Sequence, residues 1–199
     1  MELDCTTGGV SAIVNDWYSL VKSRLTPKRF KHVEGVVYTA KLLAKQFGVD
    51  ENQAMIAAWL HDIYRELDVE TLTRLALEVD VTVPTTAPVT WHGPIAAKRL
   101  PLDFAVFDQE IQDAIASHTL GHPQMSAVAQ VLYVADAIEP GRSYAGVDEL
   151  RLAAQKSLPY AVACVADSAI LFLVKQHLPI CWETVEMRNQ LWLGIDETN

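Results

Sequence analysis

The sequence is poor in the features that mark several large protein classes. Cysteine occurs only 3 times in 199 residues, as Cys5, Cys164 and Cys181, widely spaced. No disulfide framework and no C-x-x-C pair can be written from them, which fits a reducing compartment. Cys164 lies in an apolar stretch and reads as a core residue. Positive charge is scarce: 16 Lys and Arg stand against 25 Asp and Glu, for a net charge of −9. Nonspecific nucleic-acid binding and attachment to an anionic bilayer both run on basic surface, so neither is expected. Long apolar runs are missing too. The most apolar stretch, Ala161 to Val174, is interrupted by Asp167 and Ser168 and reads as too short and too polar to span a membrane. Met1 to Gly9 carry Glu2 and Asp4 and no basic segment, unlike a secretory signal, so a cytoplasmic location is expected. There is no strand-like alternation, internal repeat or low-complexity linker.

What is present is helical periodicity. Hydrophobic residues make up 50% of the chain and charged residues 21%, ordinary values for a globular protein. A chain of this size buries roughly 70% of its unfolded surface, so its core needs no disulfide or structural metal. Val10, Ile13, Val14, Trp17 and Val21 form one helical face. Pro27 opens a second helix, with a stripe from Val33 to Phe47, and Gly48 stops it. Asp50, with Gln53 three positions later, starts a third as a capping box would. Asp68, Asp108 and Ser126 cap others, and Glu139-Pro140-Gly141 ends the last of these. Val79 to Thr90 reads as a loop or short extended piece, with a brief helix after His92. Asp148–Lys156, Pro159–Gln176 and a short Thr184–Trp192 segment complete the chain. The expected fold is all-α, a single bundle of roughly eight to ten helices. Residues 27–199 form the domain, and residues 1–26 supply an N-terminal helix packed on it.

Three helices each offer a polar group where an apolar stripe predicts burial. His61-Asp62 ends the run Ala57-Ala58-Trp59-Leu60. Asp136 is a lone carboxylate between Val131 and Ile138, and His32 precedes Val36 by one turn. A buried carboxylate is costly unless it is paired or holds a metal. Imidazole and carboxylate together suit a divalent transition ion such as iron, manganese or zinc. His122, in a turn, and His177, at a helix end, read as surface residues. The tryptophans read as packing residues, with Trp182 the one exception to test as a base platform.

His32, His61-Asp62 and Asp136 resemble the H…HD…D signature of the HD-domain metal-dependent phosphohydrolases. The strings A-A-W-L-H-D-I at 57–63, I-A-S-H-T-L-G at 115–121 and A-D-A-I-E-P-G-R at 135–142 are similar to the YqeK-type branch, which hydrolyses diadenosine tetraphosphate symmetrically. The resemblance runs from about Lys28 to Asn189. It implies an HD-domain helical bundle with His32, His61, Asp62 and Asp136 holding a first metal. His92 and His118 hold a second ion or assist the leaving phosphate, with Asp62 bridging. Iron is the metal implied first, one or two ions, with manganese as an alternative. A divalent ion lowers the pKa of bound water, so that metal-bound hydroxide attacks phosphorus near neutral pH. Asp62, His92, His118 and Asp136 are the residues implied in catalysis. Arg65, Thr119 and Arg142 are expected to stabilise phosphoryl charge, and Thr184, Arg188 and Asn189 to close over the nucleotide. Trp182-Glu183 stand where the family usually has His-Pro.

The implied substrate is a small dinucleoside polyphosphate, and a homodimer is permitted. Two other readings stay open. One is an HD-type hydrolase of nucleoside monophosphates or cyclic dinucleotides. The other is a nucleotide-binding regulator without turnover.

Overall fold

The computed structural model describes residues 17–83 and 87–196. Among these it has ten α-helices, one 3-10 turn and no strand, as the helical periodicity predicts. Residues 17–24 form α1. Its Val21 is fully buried, and Tyr18 sits edge-on to Phe30 and Trp59. The earlier part of the expected first helix, including Val10, Ile13 and Val14, lies outside the described residues.

α2 (Pro27–Phe47) is defined by local chemistry at both ends. Thr26 accepts from the Arg29 N–H, Pro27 takes the first helical position, and Gly48 closes the helix at φ +67°, a left-handed conformation that glycine adopts freely. α3 (Glu51–Leu60) starts at Asp50, whose carboxylate accepts from the Gln53 N–H. The reciprocal half of a capping box does not form. The Gln53 amide instead donates to Asp108 Oδ2 at 2.9 Å, tying the start of α3 to the start of α6. α4 (Val69–Glu78) is capped by Asp68. After the 3-10 turn Pro88–Thr90, α5 (His92–Phe104) is longer than the brief helix expected. Pro101 falls in its final turn, where a proline removes few helical bonds.

α6 (Gln109–Ser117) and α7 (Ala127–Ile138) begin at the Asp108 and Ser126 caps. α8 (Val147–Ala153), α9 (Leu158–Lys175) and α10 (Trp182–Asp196) follow. α10 outruns the expected Thr184–Trp192 at both ends, continuing through Gly194. α7 is apolar around almost its whole circumference. Such a helix belongs at the centre of a fold, and it packs against α2, α3, α6 and α9.

α9 corrects one reading. It has 18 residues, and by length and composition alone it could cross a membrane. Ala161, Val162, Val165 and Ala166 are buried, and the helix packs on α7, α8 and α10. Leu171, Phe172 and Val174, nearer its C-terminus, are exposed. Cys164 is half-buried rather than a core residue, and burial pushes its thiol pKa up.

Candidate metal centre

The ends of four helices and the middle of a fifth segment converge beside α7. His32 comes from the first half of α2, and His61 and Asp62 from the turn that ends α3. His92 opens α5, His118 caps α6, and Asp136 lies near the end of α7. His61, Asp62, His92 and His118 are all buried. Three overlapping groups have ligand atoms mutually within 4.8 Å: His32/His61/Asp62, His61/His118/Asp136 and Asp62/His92/His118. Asp62 divides its two oxygens between the histidines. Oδ1 lies 3.1 Å from His92 Nε2 and 3.9 Å from His118 Nε2. Oδ2 lies 3.4 Å from His61 Nε2 and 3.7 Å from His32 Nε2. Asp136 Oδ1 is 3.1 Å from His32 Nε2.

The backbone sets the tautomer of three of these rings in the same way. His61 Nδ1 faces the Ala58 carbonyl at 2.7 Å, His92 Nδ1 that of Val89 at 3.1 Å, and His118 Nδ1 that of Ile115 at 2.7 Å. A carbonyl can only accept, so each Nδ1 carries a proton, and in the neutral ring each Nε2 presents a lone pair. His32 Nδ1 faces a carboxylate oxygen of Glu139 at 3.1 Å, with the same result. His92 Nε2 and His118 Nε2 are then two acceptors only 3.0 Å apart. His32 Nε2 and His61 Nε2 are buried and make no hydrogen bond. Imidazole nitrogens and carboxylate oxygens converging, with His32 Nε2 and His61 Nε2 left without donors, form a site for a cation. The donor set, imidazole nitrogen with carboxylate oxygen, fits a divalent transition ion.

Protonation of the cluster follows from its packing. Burial, with the His92 and His61 charges beside it, lowers the His118 pKa to about 3. Burial opposes charging of His61, but Asp62 and Asp136 outweigh it and raise its pKa. Burial alone would raise both carboxylates. The surrounding imidazoles instead hold Asp62 well below the ordinary range, and His32, His61 and Arg142 do the same for Asp136.

The remaining expected residues are distributed unevenly. Arg142 bonds Asp136 Oδ1 through Nη2 at 2.6 Å and its carbonyl through Nε at 2.9 Å. The Thr119 hydroxyl donates to His118 Nε2 at 3.1 Å. Arg65, half-buried, makes no side-chain hydrogen bond or ion pair among the described residues. The cation on Asp62 is Arg29, with Nη1 at 2.9 Å from Oδ2. Arg29 was missed because it sits in the basic run Lys28-Arg29-Phe30-Lys31, which looks like exposed surface. Thr184 Oγ1 donates to the Leu120 carbonyl at 2.7 Å. Arg188 pairs with Asp167 of α9 at 2.6 Å and with Asn189 at 3.1 Å. These three residues therefore dock α10 on α9 and on the loop after His118, with no contact to the cluster. Glu139, read only as a helix terminator, is a buried carboxylate on His32. A glycine inside the regular stripe of α2, Gly35, is the sequence signal that could have found it.

The sequence profile of the HD domain matches residues 29–141, more than half of the chain. The chain belongs to the HD domain family. Curated relatives support this along most of the length. The symmetrical bis(5'-nucleosyl)-tetraphosphatase of Bacillus subtilis is 36% identical over 176 residues, covering 87% of this chain and 95% of its own. That of Halalkalibacterium halodurans is 34% identical over 177 residues, covering 87% and 94%. The crystal structure of an HD superfamily hydrolase from Clostridium acetobutylicum, described as involved in NAD metabolism, superposes with a TM-score of 0.83. It is 30% identical, and the match covers 89% of this chain and 96% of that one. His32, His61, Asp62, His92, His118 and Asp136 all lie inside the matched segment.

Proposed function

We propose that this chain is a metal-dependent hydrolase that splits diadenosine tetraphosphate symmetrically into two ADP. The observation that carries the reading is the convergence of buried imidazole and carboxylate atoms, on a chain whose relatives bear that activity in their names. His32, His61, Asp62 and Asp136 would hold one divalent ion. His92 and His118, with the other oxygen of Asp62, would hold a second. Such ions acidify water to supply a nucleophile and offset phosphate charge. Iron is the first candidate and manganese the next.

The protein's own side chains account for substrate placement. A cavity of about 920 Å³ opens beside the cluster, with His32, Glu139 and Arg142 in its wall. Lys28 and Lys31 line it as well, and neither makes an ion pair or side-chain hydrogen bond among the described residues. Lys28, Arg29, Lys31 and Arg142 stand in this wall against Glu34, Glu66 and Glu139, so it is less acidic than the chain-wide charge of −9 suggests. It suits a polyphosphate chain, for which Lys acts as a point charge and Arg as a two-pronged donor. Arg29 and Arg142 now hold Asp62 and Asp136. Once cations take over those carboxylates, both guanidiniums are free to bond phosphate oxygens. Thr119 offers a hydroxyl at the same edge, while Arg65, Thr184, Arg188 and Asn189 remain candidates for nucleotide contact.

Cleavage between the two central phosphoryl groups adds one water and leaves one ADP on each side. Product analysis with a defined divalent ion tests the reading: two ADP per substrate support it, and ATP plus AMP refutes it. Hydrolysis of a nucleoside monophosphate in preference would favour the broader HD-type reading, and tight binding without turnover under any ion the regulator. The proposal also includes a homodimer, supported by the exposed apolar end of α9, and a cytoplasmic setting without nucleic-acid or membrane partners.

A further inference from the structure

We infer that Glu139 is a positioning residue for the metal centre, and that Gly35 and Gly141 are glycines because its carboxylate occupies the space a Cβ would need. Glu139 follows α7 directly and is buried. A buried carboxylate needs partners, and each oxygen has one. Oε1 lies 3.1 Å from His32 Nδ1, and Oε2 accepts the Gly141 N–H. Arg142 Nε stands 4.0 Å from Oε1. The turn that carries Glu139 is itself clamped. The Arg151 guanidinium donates to the carbonyls of Ile138, Glu139 and Arg142 at 3.1, 3.0 and 2.9 Å.

Gly35 supplies the independent observation. It lies inside a 21-residue helix, where glycine is disfavoured relative to almost any residue but proline. It does not adopt a left-handed conformation there. What its missing Cβ permits is specific: a methyl at that position would collide with Glu139 Oε2. A Cβ on Gly141 would stand 3.0 Å from both Glu139 oxygens. Two glycines from separate elements thus leave room for one carboxylate, and that carboxylate turns one ring. Accepting from Nδ1 fixes the His32 tautomer and aims Nε2 at Asp136 and Asp62. Partners of this kind behind a ligating histidine hold the ring in place and raise its basicity.

The inference rests on the metal-centre reading, so the experiment separates the two. Chelator-stripped protein is titrated with Co²⁺ alone, followed by its visible absorption and by competition with a chelator. Glu139→Gln and Gly35→Ala should each weaken Co²⁺ binding about 10- to 100-fold. Gly35→Ala keeps the glutamate but pushes its carboxylate off His32, so its stripped form should keep the helical content of wild type by circular dichroism even as its affinity falls. A purely structural role for Glu139 would not produce that split. In the stripped wild type, ¹⁵N NMR should find His32 as the Nδ1–H tautomer, and in Glu139→Leu, which offers Nδ1 no acceptor, that preference should be lost. Co²⁺ affinity within twofold of wild type in both variants, with His61→Ala impaired, overturns the positioning role alone. Affinity unchanged in His61→Ala as well overturns the metal centre itself.

Discussion

Stripping the protein of divalent ions and adding one back should raise its melting temperature by a calculable amount. The cluster buries two imidazole nitrogens without hydrogen bonds, His32 Nε2 and His61 Nε2, and sets His92 Nε2 against His118 Nε2 at 3.0 Å. An unsatisfied buried acceptor costs about 1–3 kcal/mol, so the folded apo-protein carries strain that an ion relieves and that the unfolded chain does not share. A ligand that binds only the native state at 100 times its Kd stabilises it by about 2.7 kcal/mol. A chain of this size shifts by about 2–4 °C per kcal/mol, giving a rise of roughly 5–11 °C. If His61→Ala raises Kd 100-fold, the same metal concentration equals the new Kd. The gain then falls to about 0.4 kcal/mol, or roughly 1 °C. The assay is thermal unfolding of chelated protein against a series of Mn²⁺ or anaerobic Fe²⁺ concentrations. A shift of equal size in wild type and in a His61→Ala/Asp136→Asn double variant would place the stabilising ion elsewhere and refute the reasoning.

Other outcomes follow from the same geometry. Asp136→Asn should lower hydrolysis of diadenosine tetraphosphate at least 100-fold at limiting metal, with partial rescue by excess ion; full activity at limiting metal would remove Asp136 from the centre. In metal-free protein the folded pKa of His118 is about 3, against 6.5 for an unperturbed histidine. Below 6.5 the unfolded chain takes up a proton that the folded chain refuses. Stability therefore falls with pH by about 1.4 kcal/mol per unit toward pH 3. His61, whose pKa is raised, contributes its opposite slope above pH 6.5, outside that window, and the remaining groups are removed by reading the His118 effect as a difference from His118→Gln. Denaturant curves for the two proteins should diverge between pH 6 and 4, and parallel curves would count against a neutral, buried His118. Gly121 has φ +74°, and a Cβ there would strike Met187 of α10. Gly121→Ala should cost at least about 1–2 kcal/mol from backbone conformation alone, measured by urea unfolding; a neutral change would refute the left-handed conformation at Gly121.

What could be read in the sequence was what the chain encodes locally. The helix starts at Asp50, Asp68, Asp108 and Ser126, and the stop at Gly48, all depend on groups within a few residues of one another. His61, Asp62 and Asp136 stood out because a charge in an apolar stripe is anomalous on its own helix. Arg29 and Glu139 did not, because their meaning lies in partners 33 and 107 positions away. Arg29 looks like one more residue of a basic run, and Glu139 like one more helix terminator. The lengths of α5 and α10 were underestimated for a related reason. Pro101 and Gly194 weaken a helix locally, and tertiary packing carries both helices through them. Arg188 is legible only as a cation, and its partner Asp167 belongs to a different helix.

The wide spacing of the cluster along the chain has a consequence for biogenesis. Small zinc modules take their ligands from neighbouring positions, so metal can nucleate their folding. Here the ligand atoms come from α2, the α3 end, α5, the α6 end and α7. His32, His61 and Asp62 come from the consecutive helices α2 and α3, but the other two donor groups, and so the complete centre, cannot close until helices farther apart in sequence have docked. A nascent chain that has not yet delivered α7 lacks Asp136, and also the helix on which α2, α3 and α6 assemble. Loading is therefore a late event that reports completed assembly. Partly made or misfolded chains should compete poorly for scarce transition metal, and the cell's metal would be committed mainly to finished copies.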